Sequence, residues 1–352
     1  MGEHLSELHI EHGARVSAFA LRHAHNYFIM GKRCAENGTL AESRRHLLHC
    51  LRHDPNYLPA LRMLATLEYT LGDLPAARKT LTLTLARTTP DPELLFLAGN
   101  IALSDHNPRE AADAFHHAEL LGGTSVELYF NMGLAHLVLG EGEPAARAVQ
   151  NVLAQNPLHH RAWDALGCAR RLMKDYDGAL DAFKRTLQLE PAFHETRDHL
   201  AQLLMELNHP DMAREVLEVA LANDPQRRSS RHLLGMAHAA SANYPEAVAC
   251  WETNIAQGDA TPEAYLLLAN AYLHLDDPAQ AMLTLETLLT LFPAHLPGHL
   301  QLALLYLEHG KRVQGWEHIE QACALDPNNP MLAHVLKAVT PRTHTLRPSR
   351  DA

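Results

Sequence analysis

The sequence predicts an all-α protein: a solenoid of helix–turn–helix repeats with a capping helix at each end. Three observations predict it. The first is a frame of 34 residues that runs from Ala24 to Asn329 without an insertion, giving nine repeats that start at Ala24, Leu58, Pro92, Val126, His160, His194, Arg228, Pro262 and Leu296. The second is a pair of columns that hold only small residues. One reads Gly31, Ala65, Gly99, Gly133, Gly167, Ala201, Gly235, Ala269, Ala303; the other reads Ser43, Ala77, Ala111, Ala145, Ala179, Ala213, Ala247, Ala281, Gly315. The third is an apolar column four residues beyond the second of these, Leu47, Leu81, Phe115, Val149, Phe183, Leu217, Trp251, Leu285, Ile319. Small residues at a helix crossing let two backbones approach to about 8–10 Å, and a bulky apolar residue beside the crossing fills the seam.

Residues 1–23 form an N-terminal helical cap. The helix over 3–23 is broken or weakened at Gly13 and carries Leu5, Leu8, Val16, Phe19 and Leu21, its second half running on into the first repeat. Residues 24–329 are the nine repeats. In the fifth, Trp163, Leu166 and Arg170 share one face of a first helix at i, i+3, i+7, and Ala179, Phe183 and Thr186 share the facing stripe of a second. Pro191 stops that second helix, as Pro55, Pro157, Pro225, Pro293 and Pro327 stop theirs. The proline is replaced at Thr89, Gly123 and Asp259, where Pro90, Gly122 and Gly258 break the helix instead. Loops such as 71–75 and 139–144 turn the chain inside a hairpin. Asp91-Pro92-Glu93, Ser125-Val126-Glu127 and Thr261-Pro262-Glu263 are helix starts, a capping residue followed by proline or an acid. Residues 330–340 are a C-terminal capping helix with Leu332, Val335 and Leu336 on its apolar side and Lys337 where the repeats have glycine or alanine. Residues 341–352 lack periodicity and are expected to be a disordered tail.

The fifth repeat, with Trp163, Leu166-Gly167, Ala179, Phe183 and Pro191, resembles the tetratricopeptide repeat family. The resemblance covers the nine repeats and implies a right-handed superhelix whose concave groove is lined by the first helix of each repeat, at repeat positions 2, 5, 6, 9, 12 and 13. On that mapping Phe96, Asn100, Leu103, Phe130, Asn131, Leu134 and Leu137 line the groove in repeats three and four, and Arg161 and Arg171 in repeat five. Apolar side chains left open there mark an interaction site; where tight curvature covers them with a neighbouring repeat, the same residues are core. Family members that clamp a terminal carboxylate use Lys and Asn, then Asn, then Lys and Arg in three consecutive repeats. Here Asn100, Asn131 and Arg161 fit, but Phe96 and Ala165 replace two of the cations, so the row is a polar ladder for a peptide backbone rather than a clamp.

With 30 basic and 41 acidic side chains the net charge is -11, which argues against nucleic acid or an anionic membrane as partner. No apolar run of membrane-spanning length and no signal-peptide pattern occurs. The five cysteines, Cys34, Cys50, Cys168, Cys250 and Cys323, are scattered, and a reducing, cytoplasmic setting fits them. His46, His49 and His53 lie at i, i+3, i+7 on the second helix of repeat one, a spacing open to metals, and read as a solvated convex face; Cys50 between them is expected to point inward. No metal and no cofactor is expected, and no catalytic motif occurs.

The function so implied is that of a non-enzymatic scaffold or adaptor, whose concave groove binds an extended peptide or amphipathic helix of a partner protein. The alternative is a self-assembling structural protein that forms homo-oligomers through its terminal helices or convex face.

Overall fold

A computed structural model describes the backbone of residues 3–339 and the side chains of residues 19–336. All elements among them are helices, and contacts divide the chain into two units, Met1–Glu190 and Pro191–Ala352. The first unit holds α1 (Glu3–Glu36), α2 (Leu40–His53), α3 (Leu58–Thr70), α4 (Leu74–Leu85), α5 (Pro92–Ser104), α6 (Pro108–Leu120), α7 (Val126–Val138), α8 (Gly142–Gln155), α9 (His160–Leu172) and α10 (Tyr176–Leu189). The second holds α11 (His194–Glu206), α12 (Pro210–Asn223), α13 (Arg228–Ala240), α14 (Tyr244–Ala256), α15 (Pro262–His274), α16 (Pro278–Leu291), α17 (Leu296–Glu308), α18 (Arg312–Leu325) and α19 (Pro330–Val339). Within each unit, sequential helices pack as hairpins, and each hairpin packs on the next. From α3 to α17, the first helices start 34 residues apart.

The small column and the bulky column meet inside each hairpin. A Cβ added to Gly167 would lie 2.4 Å from the Phe183 ring, one on Gly99 2.3 Å from Phe115, and one on Gly235 2.8 Å from the Trp251 indole. The bulky partner therefore occupies the volume that a side chain would fill, and Phe115, Phe183 and Trp251 are the largest fully buried side chains. Trp163 is different. It is half-buried, its indole N–H donating to the Pro157 carbonyl at 2.9 Å, so it seals a hairpin edge instead of filling the centre.

The turn inside each hairpin has one residue in the left-handed region. Gly38, Gly72, Gly140 and Gly310 hold it at no steric cost, but His106, Lys174, Asn208, Ala242 and Asp276 hold it too, at φ of 57 to 61°. Between hairpins, Asp91, Ser125 and Thr261 cap α5, α7 and α15 through their side chains, accepting from Leu94, Leu128 and Ala264 N–H at 2.9, 3.1 and 3.3 Å.

The first helix differs from expectation in being unbroken from Glu3 to Glu36, because one glycine costs a helix only about 1 kcal/mol. Phe19 and Leu21 are exposed, while Ala24 is buried beside Leu47 and Cys50, which confirms the inward direction of Cys50. The side chains of Leu5, Leu8, Val16 and Lys337, and residues 341–352, lie outside the described residues. His46, His49 and His53 are not simply solvated: all three rings stack on Tyr27 of α1, with centroids 5.3–6.2 Å apart.

At the other end, Leu332 and Val335 of α19 are buried against Leu300, Ala303, Ile319 and Ala322. A chain ended at Asn329 should therefore expose that cluster. It is expected to melt earlier and to aggregate during a thermal ramp monitored by light scattering, whereas deletion of 341–352 should change neither. Equal stability of the 1–329 chain would show that α19 covers nothing that matters.

Candidate functional site

The residues singled out from the sequence gather on α5, α7 and α9, the first helices of three consecutive hairpins of the first unit. Their exposure is uneven. Phe130, expected on an open face, is 9% exposed and belongs to the core. The His159 ring packs against it at 5.1 Å between centroids, and the Arg161 guanidinium carbon lies 5.3 Å over it. Phe96 is half-buried with its ring 5.9 Å from Phe115, and Leu103, Leu134 and Leu137 are half-buried against the same core. The neighbouring hairpin covers most of the apolar face, and only its flanks meet water.

A polar pair lies on the same two helices, half-buried like the apolar flanks. The Asn131 side-chain amide donates to the Asn100 carbonyl oxygen at 2.8 Å, tying α7 to α5. The Asn100 N–H₂ and the Asn131 carbonyl oxygen stay unspent in that pair, a donor and an acceptor side by side. Arg161 is exposed and has no carboxylate partner among the described residues. A cation held over an aromatic ring while its N–H groups face solvent is oriented but not neutralised. Arg171 is less open, half-buried on the last turn of α9.

The structure adds a feature the sequence did not disclose: histidine caps. His159 Nδ1 accepts from Ala162 N–H at 3.0 Å at the start of α9, and His295 Nδ1 accepts from Gly298 N–H at 3.1 Å at the start of α17. Only a ring nitrogen with a free lone pair can do this. Near α17, His299 and His318 bring their Nδ1 atoms within 2.9 Å, and His299 Nε2 meets the Pro293 carbonyl at 2.9 Å. Burial pushes His159, His238, His295 and His318 below the ordinary histidine range. The second unit also contains a cleft of about 610 Å³ on α11, α13 and α15. Its floor is Asp198, bonded by Arg227 at 2.9 Å and by the Ser229 and Ser230 hydroxyls.

These histidines set the sign of the acid response. Each is held neutral in the folded chain and binds a proton near pH 6.5 once unfolded, so the unfolded state takes up more protons below that point. Their contribution is complete above about pH 6.5 and is lost as the pH falls towards their lower folded values. Urea midpoints measured at pH 7.5, 6.5 and 5.5 should decline in that order; a midpoint that rises towards pH 5.5 would refute the assignment.

Comparison with known proteins agrees with this architecture. A family model of the tetratricopeptide domain of cytochrome c-type biogenesis protein H matches residues 141–265, and two further tetratricopeptide models match residues 62–119 and 263–295. The chain belongs to the tetratricopeptide repeat family. Among curated proteins, this tetratricopeptide chain is similar to the heat-shock protein cognate co-chaperone sgt12 of Aspergillus fumigatus, 28% identical over 102 residues. That match spans 29% of this chain and 30% of the relative's length. Among solved structures, PilW, a type IV pilus biogenesis factor, aligns with a TM-score of 0.54 at 18% identity, over 61% of this chain and 100% of its own. The APC/C hetero-tetramer Cut9–Hcn1 aligns with a TM-score of 0.50 at 15% identity, over 90% of this chain and 76% of the other. At such identities the two structures speak for the tetratricopeptide fold alone. No helix among the described residues is long and apolar enough to cross a membrane.

Proposed function

We propose that the chain is a non-enzymatic scaffold that binds an extended peptide segment of a partner protein along α5, α7 and α9. The observation that carries this reading is the Asn100–Asn131 pair beside an uncommitted Arg161. An extended backbone needs one donor and one acceptor at each step, and the two amides offer both at adjacent positions. The half-buried flanks of Phe96 and Leu134 accept a modest apolar side chain, and Arg161 selects a carboxylate on the same segment. The co-chaperone relative supports binding of proteins in general terms. A reducing, cytoplasmic setting belongs to the reading and is supported by five cysteines that stand as free thiols.

The test is a random-peptide display library panned on the full chain, with affinities of the enriched peptides measured on variants. Peptides with an acidic residue next to an apolar one should be enriched. Arg161→Glu combined with Asn131→Ala should weaken them about 30- to 2,000-fold, roughly the sum of one charge-assisted and one neutral hydrogen bond. Enriched peptides that bind the double variant as tightly as the parent would move the site off this face.

A further inference from the structure

His159 touches two parts of the first unit at once, the start of α9 and the Phe130 ring of α7. Its Nδ1 accepts the Ala162 N–H at 3.0 Å, a bond that this N–H shares with the His159 carbonyl oxygen at the same distance. Its ring braces Phe130 from the side at 5.1 Å, and Arg161, two residues on, lies over that same phenyl ring at 5.3 Å. The charged and titratable groups that face it are Glu127 on α7 and His160 and Arg161 on α9. A helix start tolerates a neutral acceptor at this place and disfavours a cation, because its free N–H groups already carry partial positive charge. A proton on Nδ1 therefore removes the acceptor, sets an N–H against the Ala162 N–H, and adds a positive charge beside Arg161. The same register position before α17 carries the His295 cap, so the arrangement occurs in both units.

We propose that His159 is the positioning residue of the α5–α7–α9 face: as a neutral imidazole it holds the first turn of α9 and braces Phe130 beneath Arg161, and taking up a proton releases both, so that the placement of Arg161 is linked to pH. This rests on the reading of that face as the binding surface, but the switch itself is present in the free protein and is tested there. Desolvation holds His159 below its ordinary titration point, as a cap that must stay neutral requires.

Nuclear magnetic resonance on the full chain labelled at histidine, alanine and phenylalanine tests it without a ligand. His159 should be the Nε2–H tautomer and titrate below about pH 6.5. The Ala162 amide and Phe130 ring signals should move with the same midpoint. As the pH falls from about 6.5 towards that midpoint, the extra protection of the Ala162 amide, corrected for intrinsic exchange, should fall by up to about tenfold per pH unit, the limiting slope for one linked proton, and level off below it. His159→Asn supplies a cap that carries no titratable group; it should keep the Ala162 amide in place and abolish the pH response of both reporters. A merely structural role predicts that the asparagine variant changes nothing in the pH profile. The inference falls if His159 titrates at or above pH 6.5, if it is the Nδ1–H tautomer, or if the two reporters respond to pH equally in the parent and in His159→Asn.

Discussion

Replacing Trp251 by alanine is expected to cost about 3–5 kcal/mol, the largest single-residue loss in the second unit. The indole is 1% exposed and packs with Ala247, Val248, Leu268 and Ala271, against the bare backbone of Gly235. Its Nε1 has no hydrogen-bond partner among the described residues, so the ring is retained for its volume and not for a polar contact. Alanine leaves a hole between α13 and α14 that a rigid hairpin closes only in part. The coupling to Gly235 makes the prediction sharper. Gly235→Ala alone drives a methyl into the indole at 2.8 Å and should itself destabilise by about 1–3 kcal/mol. In the Trp251→Ala background the same methyl enters free space, so the two losses should fall short of additivity by about 1 kcal/mol or more. Urea unfolding of the four members of the cycle measures this. A Trp251→Ala loss below 1 kcal/mol, or strict additivity, would mean that the hairpin is not packed as described.

Phe130→Asp is the second large effect, and it separates core from surface on the candidate face. The substitution puts a carboxylate among Tyr129, Met132, Ala162, Ala165 and the other buried members of this cluster, with Arg161 as the nearby cation. Burying a charge without a well-formed partner costs several kcal/mol, and the lost phenyl volume adds about 3–5 kcal/mol more before relaxation. The middle hairpins of the first unit should therefore open, seen as loss of amide protection centred on α7 and α9. Arg161→Glu changes an exposed side chain and should leave the melting temperature within the range of ordinary surface substitutions, about 0.5 kcal/mol in stability. Loss of binding on Phe130→Asp is therefore no evidence for a peptide contact, whereas loss on Arg161→Glu is. If Phe130→Asp melts with the parent, the ring is open after all and the core assignment is wrong.

The contrast between these residues shows what a repeat makes legible. The helix starts of α3 to α17 and the Gly167–Phe183 packing follow from spacing alone, because small and bulky residues recur every 34 positions and each must face the other. The family resemblance places Phe130 on the groove face of a first helix; in the structure it is on α7 and 9% exposed. Spacing does not say how far the next hairpin covers it, since coverage depends on the angle between hairpins and on His159, which lies outside the helix. The histidine caps were hidden for a related reason. Capping is read from Ser, Thr, Asp and Asn, and a histidine before a helix carries no such signal until its Nδ1 is seen to point at a backbone N–H. Spacing puts Trp163 on one face with Leu166 and does not say how deep it sits: its N–H needs an acceptor, and the Pro157 carbonyl holds it at the edge. The stacking of His46, His49 and His53 on Tyr27 was illegible because the partner comes from α1, outside the helix that carries the three rings.

The left-handed turn residues carry one more consequence, for a chain under tension. A partner gripped by this protein while either end is held elsewhere pulls on hairpins that are alike in fold but unequal at the bend. Those turning over Gly38, Gly72, Gly140 and Gly310 sit relaxed, while those turning over Lys174 or Ala242 already carry about 1–2 kcal/mol of steric cost before any force is applied. A pulling trace should accordingly show a ranked series of yield points, with the order set by side chains that meet no ligand. Exchanging a single bend residue for glycine would move one hairpin later in that series and leave every binding surface untouched, a mechanical adjustment separable from recognition.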